Sequence, residues 1–149
     1  MFIGEICNRE VVIASRETSI SELALLMREQ HVGSIVITEL QSNCQVPIGI
    51  VTDRDLVIEL LSKGIDINSV CAGDIMTSEL ATVRESNHIN DTLKLMRGRG
   101  IRRIPVVNDE NVLVGILTID DLLDVVISEL DDIVNLVNVE QKREKQLRQ

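Results

Sequence analysis

Apolar residues recur along this chain with two periods, one helical and one strand-like, and the two alternate in the same order twice. Over Ile20–Arg28 the apolar positions Ile20, Leu23, Leu26 and Met27 fall three or four residues apart, the spacing of one face of a helix. Ser19 just ahead of them, with Glu22 three residues on, predicts a capping box at that helix start. β-Branched runs follow at Ser34–Thr38 and Ile48–Val51, split by a polar loop carrying Asn43. A second helix is expected from Thr52, stopping near Lys63 and Gly64. A short β-prone segment, Val11–Ala14, precedes the set, so the order is β-α-β-β-α.

The same order returns in the second part of the chain. ISELALLMR at Ile20–Arg28 aligns with INDTLKLMR at Ile89–Arg97, 69 residues later, and that offset also carries Val32–Ile37 onto Ile101–Val106. GIVTDRDL at Gly49–Leu56 aligns with GILTIDDL at Gly115–Leu122 at an offset of 66, and the three-residue difference falls in the Gln41–Gln45 loop. The second copy has its own β-prone segments at Ala81–Val83, Ile104–Val107 and Val112–Leu117. Each copy is about 60 residues long, marginal for an independent core, so an α+β pair of half-domains burying their faces against each other is expected. The division expected is 1–67 for the first half, 68–79 as the link into the second repeat, 80–130 for the second half and 131–149 as a helical extension.

That extension follows from the last helix, where no glycine or proline occurs after Gly115. Leu123, Val126, Leu130, Ile133 and Val137 keep alternating three-four spacing, a coiled-coil-like seam that outruns the half-domain and predicts a homodimer.

Composition narrows the function. Hydrophobic residues make up 44% and charged residues 26% of the 149, a globular balance, but Phe2 is the one aromatic residue besides histidine. With a net charge of −9 and no aromatic stacking platform, the chain is not a nucleic-acid binder. The odd, widely spaced set Cys7, Cys44 and Cys71 argues against disulfides or zinc and for reduced thiols in the cytoplasm. No export signal and no run of about 18 apolar residues is present, so no membrane partner is expected.

The densest chemical signal is Gly-x-x-Thr-x-x-Asp, found at Gly49, Thr52, Asp55 and again at Gly115, Thr118, Asp121. At a strand-to-helix turn, a hydroxyl and a carboxylate beside free N–H groups suit a ribose or an anion. The same spacing also describes a helix cap, in which Thr holds the third N–H and the acid reaches back. Arg102 and Arg103, with Arg97 and Arg99 close by, offer guanidinium forks for phosphate or simply a solvated basic face. Gly33 and Ser34 stand in their place in the first half. His31 and His88 have no metal-ligand spacing around them, neither G-x-x-x-x-G-K-[ST] nor G-x-G-x-x-G occurs, and no nucleophile motif is present. The chain is read as not an enzyme, with no catalytic cofactor.

Taken together, GDIMT, the paired ISELALLM and INDTLKLM, GIRRIPVV, and the paired GIVTDRDL and GILTIDDL resemble a tandem pair of CBS domains, the regulatory module named for cystathionine β-synthase. The resemblance covers nearly the whole chain. It implies two β-α-β-β-α repeats stacked about a pseudo-two-fold axis, with two clefts that take adenosine-containing ligands such as AMP, ADP, ATP, NAD or S-adenosylmethionine. It places ribose contacts on Thr52 with Asp55 and on Thr118 with Asp121, and phosphate contacts on Arg102 and Arg103, near the Thr118 cleft. It points to Ile13 and Thr82 for the adenine walls, and to Pro105 in the arginine-led strand. A regulated protein partner is implied, and a ligand-free dimerisation scaffold is the alternative.

Overall fold

The computed structural model describes residues 1–148. Its elements run α1 (Ile3–Ile6), β1 (Ile13–Ala14), α2 (Ile20–Gln30), β2 (Ser34–Gln41), β3 (Cys44–Thr52) and α3 (Asp53–Asp55), which continues as a π-helix over Leu56–Leu61. The second series is α4 (Ala72–Ile75), β4 (Val83–Arg84), α5 (Ile89–Arg99), β5 (Arg103–Val107), β6 (Leu113–Thr118) and α6 (Ile119–Leu147). Each half holds a three-stranded sheet, ordered β1-β2-β3 and β4-β5-β6, with the first pair parallel and the second antiparallel. The fold is the expected α+β pair of repeats with a long C-terminal helix.

Several local expectations change. The three extra residues of the first copy do not swell a loop; they lengthen the β2–β3 hairpin, which pairs out to Gln41 and Cys44. Ser42 and Asn43 turn the hairpin with φ of 52° and 62°. Ser19 accepts from Glu22 N at 3.2 Å, half of the predicted capping box. Beyond Asp55 the helix is wound with one residue too many per turn, so Ser62 N bonds to Val57 O at 2.8 Å, before Gly64 ends it with φ +64°.

The short first strands begin later than predicted, at Ile13 and at Val83, and the second has an identifiable cause. Val36 N donates to the Val12 carbonyl at 3.0 Å, and register places Pro105 where Val36 stands in the first half. Proline has no N–H to give Ala81, so pairing in the second half starts at Val83 opposite Val106.

The two halves are joined by an exchange of their leading turns. Ile3 of α1 is fully buried, and it packs with Val83, Met96, Ile104, Val106, Leu117 and Leu122, the core of the second half. Ala72 of α4, also fully buried, packs with the core of the first half around Leu23, Ile35, Ile37 and Val51. Backbone bonds repeat the reciprocity: Gly4 N to Glu85 O and Gly73 N to Arg16 O, each 2.9 Å, and Asn8 N to Ile116 O at 2.9 Å against Thr77 N to Ile50 O at 3.1 Å. The segment 68–79 thus carries a helix that completes the half it leaves.

This exchange explains the motif glycines. A Cβ on Gly115 would sit 2.8 Å from Cys7 Sγ and 2.9 Å from the Asn8 carbonyl oxygen, and one on Gly49 would sit 2.6 Å from Met76 Sδ. Gly115→Ala is therefore expected to cost about 1–3 kcal/mol by forcing the exchanged segment away. Gly98→Ala, inside α5 with open space around it, should gain roughly 0.5–1 kcal/mol. Urea unfolding of the two variants reads both signs.

Candidate functional site

Both Gly-x-x-Thr-x-x-Asp turns are helix caps. Asp55 N donates to Thr52 Oγ1 at 3.1 Å and Thr52 N to Asp55 Oδ2 at 2.9 Å. In the second copy Asp121 N donates to Thr118 Oγ1 at 3.3 Å, while Thr118 N and its hydroxyl donate to Asp121 Oδ2 at 2.8 and 3.0 Å. Each turn is also tied to the chain entering the neighbouring strand, through Asp53 N to Gly33 O at 3.0 Å and Ile119 N to Arg102 O at 2.8 Å. Capping engages one oxygen, Oδ2, of each carboxylate.

The stacking of the sheets, in which β3 meets β6, brings the two turns to one continuous cleft of about 680 Å³. That volume lies within the usual range for small-molecule sites. Thr52, Asp55, Arg102, Arg103 and Thr118 all line it. Four other predicted residues do not. Asp121 has its carboxylate turned onto Thr118, Pro105 is buried within β5, and Ile13 and Thr82 are exposed away from the wall. Val11 and Val12, one step earlier in the chain, take the wall position expected of Ile13.

Arg103 stands opposite Thr118 in the β5–β6 register, but its side chain reaches across the cleft. A Cβ at Gly33 would lie 3.7 Å from Arg103 Nη1 and 3.3 Å from Asp53 Oδ2, so the guanidinium crosses into the first half and lies over Gly33. The residue that seemed only to lack a basic side chain is the one whose small size makes room. Arg54, Arg102 and Arg103 line the cleft, and none of them takes part in an ion pair among the described residues. Glu10, Asp53, Asp55 and Asp120 line it too, so the cleft is mixed in charge rather than basic.

Sequence reading missed Asn8, Glu10, His31 and Thr77 on this wall. Asn8 and Thr77 stand 69 residues apart and make equivalent backbone bonds, so the repeat offset was a usable signal for them. His31 ends α2 in the left-handed conformation, the position Gly100 fills in the second half. Next to Asn8, burial pushes the Cys7 thiol above its ordinary pKa despite the opposing pull of Arg9. No group of three metal-ligating side chains occurs among the described residues, and none of their helices is long and apolar enough to cross a membrane.

The family model for the CBS domain matches twice, over residues 3–62 and 72–128. The chain belongs to the CBS domain family. Both matches begin on the exchanged turns, so each CBS repeat starts with the helix that packs into the other. An uncharacterized protein of Methanopyrus kandleri is 42% identical over 123 residues, 83% of this chain and 61% of that relative's length. The CBS domain-containing protein YhcV of Bacillus subtilis is 34% identical over 113 residues, 76% of either chain. Among solved structures, the CBS domain pair of protein MJ0100, in complex with 5'-methylthioadenosine and S-adenosyl-L-methionine, superposes with a TM-score of 0.75 at 22% identity. That superposition covers 87% of this chain and 98% of that one, and it shows a shared fold.

Proposed function

We propose that this CBS pair is a regulatory module, not an enzyme, that binds one adenosyl ligand in the cleft between its repeats and passes the change in their relative pose to a protein partner. The observation that carries the reading is the convergence on one cleft wall of Thr52, Asp55 and Thr118 with three guanidiniums that form no ion pair among the described residues. Hydroxyl and carboxylate suit a ribose, and the Arg fork suits a phosphate. The adenosyl ligands of the MJ0100 pair support the class of ligand. Four carboxylates beside three guanidiniums weigh against a triphosphate and favour a ligand of low net charge, such as AMP or S-adenosylmethionine. The free thiols of Cys7, Cys44 and Cys71 support a reducing, cytoplasmic setting.

Thermal unfolding in the presence of AMP, ADP, ATP, NAD and S-adenosylmethionine tests it. At a hundred times its Kd a ligand adds about 2.7 kcal/mol, which at this chain length raises Tm by roughly 5–10 °C. AMP or S-adenosylmethionine should give that shift and ATP a smaller one. No shift with any of the five would leave the ligand-free scaffold as the better reading.

A further inference from the structure

α6 outgrows the half-domain that starts it. Leu122 is its last buried side chain, and every residue from Val126 to Arg148 is exposed. At about 1.5 Å per residue its 29 residues span roughly 43 Å. Leu123, Val126, Leu130, Ile133 and Val137, each 45–58% exposed, mark one seam, and the same spacing continues through Glu140 and Glu144 to Leu147. Val134 and Leu136 widen the stripe on either side at its middle.

Charge along α6 is segregated. From Asp120 to Asp132 it carries six acidic residues and no basic one, while from Lys142 to Arg148 it carries four basic residues against Glu144 alone. Two copies side by side in the same direction would set acids on acids and bases on bases. Glu140 and Glu144 would face their own counterparts across the seam, and Arg143 would lie next to the partner's Arg148. Reversing one copy removes every one of these conflicts. With the dyad at the level of Asn135, Leu123 meets the partner's Leu147 and Ile133 meets the partner's Val137. Val134 and Leu136 then each meet their own counterparts on opposite flanks, and Glu129 meets the partner's Arg143 at both ends of the Leu136 flank. The arrangement is isologous, so it closes at two copies.

We propose that α6 is a self-association surface and that its occupant is the α6 of a second copy of this chain, packed antiparallel about Asn135. Each pair of half-domains then sits at an opposite end of the shared two-helix rod.

Sedimentation equilibrium of the full chain tests the proposal. The unmodified protein should weigh twice its 16.6 kDa at tens of micromolar; a monomer there overturns the proposal. Ile133→Glu puts two charges into the centre of the seam and should weaken the dimer at least a hundredfold. Its unfolding of the half-domains should not change, because Ile133 is 58% exposed in the single chain. If Ile133→Glu dimerises as tightly as the unmodified chain, the half-domains hold the copies together and α6 does not. Glu129→Arg and Arg143→Glu should each weaken the dimer several-fold, and the double variant should return to within about twofold. In a parallel pair these positions stand 14 residues, about 21 Å, apart and could not compensate. Failure of the double variant to restore affinity overturns the antiparallel register.

Discussion

Ile3→Ala should destabilise the protein by about 2–5 kcal/mol, the usual cost of emptying a fully buried aliphatic site. Ile3 is 0% exposed although it lies in a four-residue helix at one end of the described chain, because it is seated among Met96, Ile104, Leu117 and Leu122. For a domain whose whole stability is of order 5–15 kcal/mol, that loss removes a large share. Phe2→Ala is the control: Phe2 is 45% exposed and rests against the His88 ring at 4.5 Å, so its removal should cost under about 1 kcal/mol. Urea unfolding compares the two directly. Equal, small losses would mean that α1 is an ornament on the second half rather than part of its core.

Arg103→Ala should weaken nucleotide binding ten- to a hundredfold, the effect of losing a charge-assisted bond of about 1.5–3 kcal/mol, while leaving unliganded stability nearly unchanged. The guanidinium has no ion-pair partner to orphan among the described residues, so its removal breaks no ion pair within the fold. Because it lies over Gly33 in the other half, the loss should be felt by ligands held at Thr52 as much as by ligands held at Thr118. Calorimetric titration with AMP measures it, and Arg99→Ala, at the end of α5, serves as a charge-matched control. Unchanged affinity in Arg103→Ala would move the phosphate subsite off β5.

Much of this architecture is legible in local periodicity. Ile20, Leu23 and Met27 are buried as their spacing demands, Met96 is their counterpart in α5, and α6 runs unbroken because nothing after Gly115 stops it. What periodicity cannot carry is contact between distant segments. The pairing of Phe2 with His88 and of Cys71 with Ser19 joins residues with no local pattern in common, and only the match of FIGEI at 2–6 with CAGDI at 71–75, at the same offset of 69, marks them as equivalent. The caps were legible for the same reason that the cleft was not. Thr52 and Asp55 interact within one turn, whereas the wall on which Thr52, Thr118 and Arg103 meet depends on how two sheets stack. Pro105 was read for its place beside the arginines, yet its effect lies in the N–H it withholds from Ala81, visible only once register is known.

The exchanged turns also set a timetable for synthesis. Ile3 leaves the ribosome 119 residues before Leu122, against which it is finally packed, an interval of roughly 6–24 s at ordinary elongation rates. The first repeat can close once Ala72 has emerged, but throughout that wait α1 has no site to occupy. The nascent chain therefore carries an unsatisfied apolar turn until the second sheet exists, so a chain ended between the repeats holds every residue of the first core yet leaves Ile3 and Ile6 without the core they pack into.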